Sequence, residues 1–346
     1  MILRLVERTN RIAHIPQILY HWRAHPSSTA GGDAKPYAYV SARRAINDHL
    51  QRLGESGARV DYGPPGLYRV EHPVDPSQRV AVVLAVSSER GLREAAESLW
   101  RQSEVAWKLI LAVPGDKLAA CVTELDAGGV GGERLVSMAM GPEADPSSSL
   151  AVAAAAAATA KADHLVLLQE PVVGLTHEWL RRLVGYSNQP HVAAAGPLVL
   201  APDGRIKHSG VALPEGAPLF LLRGRRSSMD DYFGFGTSVY NVSALSGALA
   251  TRREIFEQLG GLQQELGDLA LIDYCIRATA ADMNAVIVPD ARVRAIGPDL
   301  TTNDLAGIRK LRKRWLATRT DDAYYNPNFR SDCGDFVPRS ASLAST

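Results

Sequence analysis

Apolar residues recur along this chain in two rhythms, and the alternation of the two predicts an α/β fold. Residues 80–86 (VAVVLAV) are apolar throughout and of strand length, the pattern of a parallel strand buried on both faces. Residues 91–102 place their apolar positions at helical spacing. Residues 107–113 predict a second strand closed by Pro114-Gly115, 119–125 a helix, and 135–140 a third strand. The alanine run at 150–160 predicts a helix lying close on a sheet, because alanine joins the highest helix propensity to little bulk. Residues 164–168 (HLVLL) and 192–200 predict two more strands, with a helix between them that starts at Thr176 as N-cap and reaches residue 184. This repetition predicts a mostly parallel central sheet with flanking helices. Ligands of such sheets gather at the carboxyl ends of strands, so the loops after Val86, Val113 and Leu168 are where chemistry is expected.

Past residue 200 the rhythm loosens. Asp203-Gly204 marks a turn, 252–259 a helix stopped by Gly260-Gly261, 272–281 a helix and 285–288 a strand. Residues 305–318 form a basic amphipathic helix with Arg309, Lys310, Arg312, Lys313 and Arg314, a charged solvent face or a contact for an anionic surface. Before the first strand lies an arm with a helix over 35–54, a turn at 63–66 and an extended piece at 67–70. Pro73, Asp75 and Pro76 close it, which divides the chain into 1–76, 77–336 and a disordered tail at 337–346.

Composition narrows the function classes. The 346 residues are 46% apolar, enough for a sizeable core. The 38 basic residues nearly balance the 37 acidic ones, leaving +1, so nothing here draws nucleic acid or an acidic membrane over long range. Three dispersed cysteines, Cys121, Cys275 and Cys333, are expected as reduced thiols. The longest apolar run, 150–160, is about half of what a bilayer requires. A cytoplasmic protein is expected, at most peripheral at the inner face of a membrane. No GxGxxG opens a helix after the first strand, no GxxxxGK[ST] occurs, and no Gx-Ser-xG elbow is present. These absences argue against dinucleotide oxidoreductases, P-loop NTPases and α/β-hydrolases.

Five stretches carry a resemblance. They are 165–180 (LVLLQEPVVGLTHEWL), 192–211 (VAAAGPLVLAPDGRIKHSGV), 241–261 (NVSALSGALATRREIFEQLGG), 272–277 (IDYCIR) and 324–329 (YYNPNF). Together they resemble the family 2 glycosyltransferases, in particular bacterial rhamnosyl-, O-antigen and capsule-type enzymes, over about residues 79–336. The resemblance implies a GT-A type nucleotide-diphospho-sugar transferase fold. It also implies an inverting hexosyltransferase that takes a sugar from a UDP or dTDP donor to a glycan acceptor in envelope polysaccharide synthesis, with Mg or Mn at the diphosphate. Other envelope glycosyltransferases are implied partners. Residues 11–30 resemble the end of a preceding tandem domain of the same kind, which implies a start partway through an ancestral domain; the alternative is a helical appendage folded back on the main domain.

The acidic positions of that family are mostly replaced. Val113-Pro114 stands where it has Asp-Asn, and Asp116 is out of register. Gln169-Glu170-Pro171 replaces the acidic metal motif, leaving Glu170 as a weak metal ligand or a solvated loop carboxylate. Leu271 falls on the catalytic base position and Ala295 on that of a late histidine. The remaining base candidates are Asp273, which as an acid at a helix start is also favourable with the dipole, and Asp268. For nucleotide-sugar binding the candidates are Ser87, Glu89, Gln169, Glu170 and His208; for the acceptor wall, Ser243, Ser246 and Gly247. Arg223, Arg225 and Arg226 are either a diphosphate clamp or a solvated face. Losing a placed base costs ~10²–10⁴ in rate, so the alternative is a catalytically inactive domain that binds a glycan or a partner.

Overall fold

The structure, a computed structural model, describes residues 1–9, 11–13, 15–17, 19–20, 36–64, 66–142, 144–159, 162–227, 234–296, 305–318 and 322–339. The tail expected at 337–346 and the stretch resembling a domain end at 11–30 fall largely outside these residues.

The arm holds two helices, α1 (Ile2–Val6) and α2 (Pro36–Arg52), and a hairpin of β1 (Arg59–Tyr62) and β2 (Tyr68–Glu71). Glu7 clamps α1 to α2, accepting from Arg52 at 2.7 Å and lying 2.6 Å from Nδ1 of His49. The strand-helix alternation follows as β3 (Arg79–Ala85), α3 (Leu92–Trp100), β4 (Ala106–Pro114), α4 (Leu118–Ala127), β5 (Leu135–Met140), α5 (Pro146–Thr159) and β6 (His164–Leu168). Next come β7 (Val172–Gly174), α6 (Trp179–Ser187), β8 (Val192–Leu200) and β9 (Ile206–His208). Short strands β10 (Val211–Ala212), β11 (Leu219–Phe220) and β12 (Tyr240–Val242) lead to β13 (Ala248–Arg252) and α7 (Arg253–Gln258). The final elements are α8 (Ala270–Ala280), β14 (Asn284–Ala295) and α9 (Leu305–Thr318).

The main sheet runs in the order β12-β14-β8-β13-β6-β3-β4-β5. β5, β4, β3 and β6 are parallel neighbours, as are β8 and β14. β13 enters antiparallel between β6 and β8, so the sheet is mixed. The α/β class and the flanking helices stand as expected. β13 and the full length of β14 do not show in the apolar pattern, because the 248–252 run (ALATR) is short and ends in polar residues.

Strand alternation sorts the core into two layers. Val80, Val82 and Leu84 face one side of β3, with α3, α4 and α6; Ala81, Val83 and Ala85 face the other. On that second side Ala153, Ala154, Ala157 and Ala158 of α5 sit directly on the sheet. Their small side chains permit the close approach, and each buried Leu or Val beneath adds ~1.5–3 kcal/mol. The arm's hairpin docks on α6, through Tyr186 to the Val70 carbonyl at 2.7 Å and Arg182 to Glu71 at 3.0 Å. Among the described residues no helix is long and apolar enough to cross a membrane.

Candidate functional site

A cleft of about 170 Å³ opens at the carboxyl ends of β3 and β6. The loops after β3 and β6 meet there as expected, and Ser87, Ser88, Arg90, Gln169 and Glu170 line it. The loop after β4 does not reach it: Asp116 lies in an exposed turn beside Lys117. Its remaining wall comes from the start of α5 and from Asp268. Asp145 caps α5 by accepting from the Ser148 amide at 2.9 Å, and Pro146 occupies the first helical position, where no amide is needed. Asp268 ends a short turn before α8, where Gly267 adopts φ +50°, ψ −125°, a conformation closed to residues with a Cβ. Ser147 donates to its Oδ1. Asp145, Ser147 and Arg90 were not singled out in the sequence, although the Asp145-Pro146 pair ahead of the alanine run is a legible helix start.

Gln169 ties the cleft floor together. Its Oε1 accepts from the Gly247 amide at 2.7 Å and its Nε2 donates to the Asp268 carbonyl at 2.9 Å. A carboxylate in this place could not make the second bond, because it has no hydrogen to donate. Ser246 also points its hydroxyl at Gln169, at 3.5 Å. Gly247 holds φ +74°, and a Cβ there would come within 3.0 Å of His208 Nε2.

Glu170 lies beside Gln169, only 3% exposed, and its Oε1 accepts from Lys207 Nζ at 2.6 Å. Lys207 sits on β9 and is itself 8% exposed. Nothing in the residue pattern singles out Lys207, which occupies a variable position of the resembled Asp-Gly-Arg-Ile-x-His stretch. β14 pairs Ala295 with Val172, and the Ile296 amide donates to the Pro171 carbonyl at 3.0 Å. This pairing sets the Ala295 methyl group next in the sheet to the strand that follows Glu170.

The other candidates take structural places. Asp273 is fully buried, its Oδ2 accepting from Arg277 at 2.8 Å and its Oδ1 from Arg314 of α9. With both oxygens engaged and no place on the cleft wall, it brackets α8 to α9. Arg314, although 41% exposed, thereby turns its guanidinium inward from α9. Leu271 is fully buried in the core. Ser243 donates to Asp322 Oδ1 at 2.5 Å, and the same carboxylate caps the Tyr324 and Tyr325 amides. His208 is buried away from the cleft against Phe220, and burial pushes its imidazole down to about 3, with Lys207 and Arg223 adding to the shift. Glu89 is exposed and outside the cleft wall.

The donor set does not fit Mg or Mn. Among the described residues no group of three or more His, Cys, Asp or Glu side chains could hold a metal ion. The amide of Gln169 is spent on protein partners, and a lysine ammonium already lies against Glu170.

No protein-family model matches the chain. It is 30% identical over 358 aligned positions to the uncharacterized protein y4gI of Sinorhizobium fredii, an alignment taking in 97% of this chain and 39% of that protein. It is 28% identical over 353 positions to the O-antigen biosynthesis protein RfbC of Myxococcus xanthus, covering 96% of this chain and 27% of RfbC. Among solved structures it is similar to the mannosyltransferase PcManGT of Pyrobaculum calidifontis in complex with GDP-Man and Mn²⁺, at 16% identity and TM-score 0.43, over 84% of this chain and 73% of that one. It is also similar to GalNAc-T7 with UDP, GalNAc and Mn²⁺, at 12% identity and TM-score 0.49, over 80% of this chain and 56% of that one. The chain spans about two fifths of the length of the Sinorhizobium relative and about a quarter of RfbC.

Proposed function

We propose that this chain is a GT-A type glycosyltransferase domain of envelope polysaccharide synthesis whose cleft takes a nucleotide diphospho-sugar without a divalent metal. The observation that carries the reading is the placement of Asp268 opposite Ser87, Ser88 and Arg90 in one cleft at the strand ends. The sequence likeness to an O-antigen biosynthesis protein along 96% of the chain supports the same reading. In it, Asp268 takes the proton of an acceptor hydroxyl, whose oxygen forms the new bond to the anomeric carbon. The bond from that carbon to the diphosphate breaks, and the nucleoside diphosphate leaves with the electron pair. Arg90 is the cation on the cleft wall and faces the negative charge that develops there. The domain division at residues 76 and 336, the UDP or dTDP donor and the glycan acceptor belong to this proposal.

One observation favours a second reading, a catalytically silent domain that binds a glycan or a partner enzyme. The cleft carboxylate Glu170 is held by Lys207 and so is withdrawn from any ligand. Calorimetric titration with UDP, dTDP and their sugars, in EDTA and again with Mn²⁺, separates the two. Micromolar binding in EDTA is the expected result. Binding that requires Mn²⁺ overturns the metal-free site, and no binding of any nucleotide to the folded protein leaves the silent domain.

A further inference from the structure

Helix α9 concentrates charge in a chain that is otherwise nearly neutral. Its 14 residues carry Arg309, Lys310, Arg312, Lys313 and Arg314 and no acid, while the whole chain has a net charge of +1. Packing fixes where each of them points. Gly307, Leu311 and Trp315, spaced four apart, share one helix face and are buried, with Ile308 packed on the core beside them. Arg314 turns inward to Asp273. Arg309, Lys310, Arg312 and Lys313 are exposed, and at about 3.6 residues per turn they fan over roughly 160° of the opposite side. Leu316, 44% exposed, lies within that fan. Among the described residues these four cations have no ion-pair or side-chain hydrogen-bond partner. The elements beneath supply none: Asp268 of turn 264–269 accepts from Ser147 and Asp273 of α8 is buried under Arg314. Glu215 and Glu265, exposed on the turns that flank α9, bond none of the four. The helix is also fixed against rotation. Gly216 lies so close that a Cβ there would come within 2.9 Å of Arg312 Cγ, and the Asp273 bracket holds the far end.

We infer that this face of α9 docks on a phospholipid bilayer carrying anionic headgroups, as a peripheral contact. Charge complementarity carries the inference: four unpartnered cations stand together on one side of a docked helix, with no acid among them. Each Lys or Arg brought to an anionic lipid surface strengthens binding about fivefold. Leu316 decides between polyanions. A nucleic-acid backbone takes up cations but offers an exposed leucine nothing, whereas the boundary between headgroups and acyl chains takes up both. α9 packs against the turn 264–269 that carries Asp268, so the docked face lies across that turn from the cleft. The inference does not depend on the nucleotide-sugar reading.

The test is co-sedimentation of the full chain with vesicles of phosphatidylcholine alone and of phosphatidylcholine mixed with phosphatidylglycerol. Binding to the mixed vesicles is expected, weakened by added salt, with none to phosphatidylcholine alone. The double variant Arg309→Gln, Lys313→Gln is expected to bind about thirtyfold more weakly, a fivefold loss for each cation. The double variant Arg101→Gln, Lys108→Gln removes the same charge from exposed positions after α3 and on β4 and is expected to bind as the wild type does. No binding to the mixed vesicles overturns the surface, and so does equal binding to phosphatidylcholine alone. Equal binding by the α9 variant and the wild type overturns it as well, as does an equal loss in the Arg101, Lys108 variant, which would indicate net charge alone. A DNA duplex is the competing probe, and tighter binding to it than to the mixed vesicles overturns the assignment to lipid. Circular dichroism of each variant confirms that a loss is not unfolding; should the α9 variant unfold, Lys310→Gln with Lys313→Gln provides the comparison.

Discussion

The ammonium of Lys207 lies 2.6 Å from Oε1 of Glu170, with both side chains almost wholly withdrawn from water. Neither charge is at ease there without the other, since an unpaired buried ion loses its hydration and gains nothing in return.

Removing one partner is therefore expected to be severe. Lys207→Met alone or Glu170→Gln alone should cost about 3–5 kcal/mol, whereas the double variant should regain much of that loss. Urea denaturation of the four proteins, read as a double-mutant cycle, checks it. Additive losses would show that the two side chains do not act as a pair.

Asp273 and Asp268 should separate by what they affect. Asp273→Asn leaves two partly exposed guanidiniums facing a buried amide, with an expected loss of about 1–3 kcal/mol and loosened α9. Asp268 is only half-buried, so Asp268→Asn should shift stability by about 1 kcal/mol or less. If transfer activity is found, that same change should lower kcat by about 10²–10⁴. Thermal melting and turnover measured on both variants decide; a stable, active Asp268→Asn protein would remove it as the base.

Acid should weaken the fold from near pH 6.5 downward. Burial lowers His208 to about 3 and His164 to about 4, from an ordinary 6.5. The unfolded chain then binds protons that the folded chain refuses, so stability is complete above pH 6.5 and is lost progressively as pH falls toward those folded values. Near pH 5 each histidine should cost about 2 kcal/mol. His208→Gln should flatten the slope of stability against pH between 6.5 and 4, measured by denaturation at several pH values. At lower pH the Glu7 clamp adds to the loss: bonds from Arg52 and His49 hold its carboxyl at about 2, so its contribution is present above pH 4.5 and disappears toward 2.

Gln169→Glu tests the amide at the centre of the cleft floor. The carboxylate keeps the bond from the Gly247 amide but turns an oxygen toward the Asp268 carbonyl, where Nε2 had donated. An expected loss of about 1–3 kcal/mol follows from the unsatisfied contact. Calorimetry with Mn²⁺ should show no binding gained, because Lys207 still occupies Glu170; tight Mn²⁺ binding by this variant would mean that the lysine yields its place.

Much of this architecture is written in local pattern. The apolar run at 80–86, the HLVLL strand and the alanine stretch each follow from burial on two faces or small side-chain volume, which neighbouring residues alone determine. They also place Glu170 at a strand end, where ligands collect. Only the tertiary structure decided what the charges do. Glu170 and Lys207 are 37 positions apart, and Asp273 meets Arg314 from 41 positions away. The antiparallel entry of β13 beside β6 is likewise a long-range pairing. Whether a carboxylate is a base, a ligand or half of an ion pair depends on which charge the fold brings within about 3 Å of it, and sequence spacing carries no record of that distance.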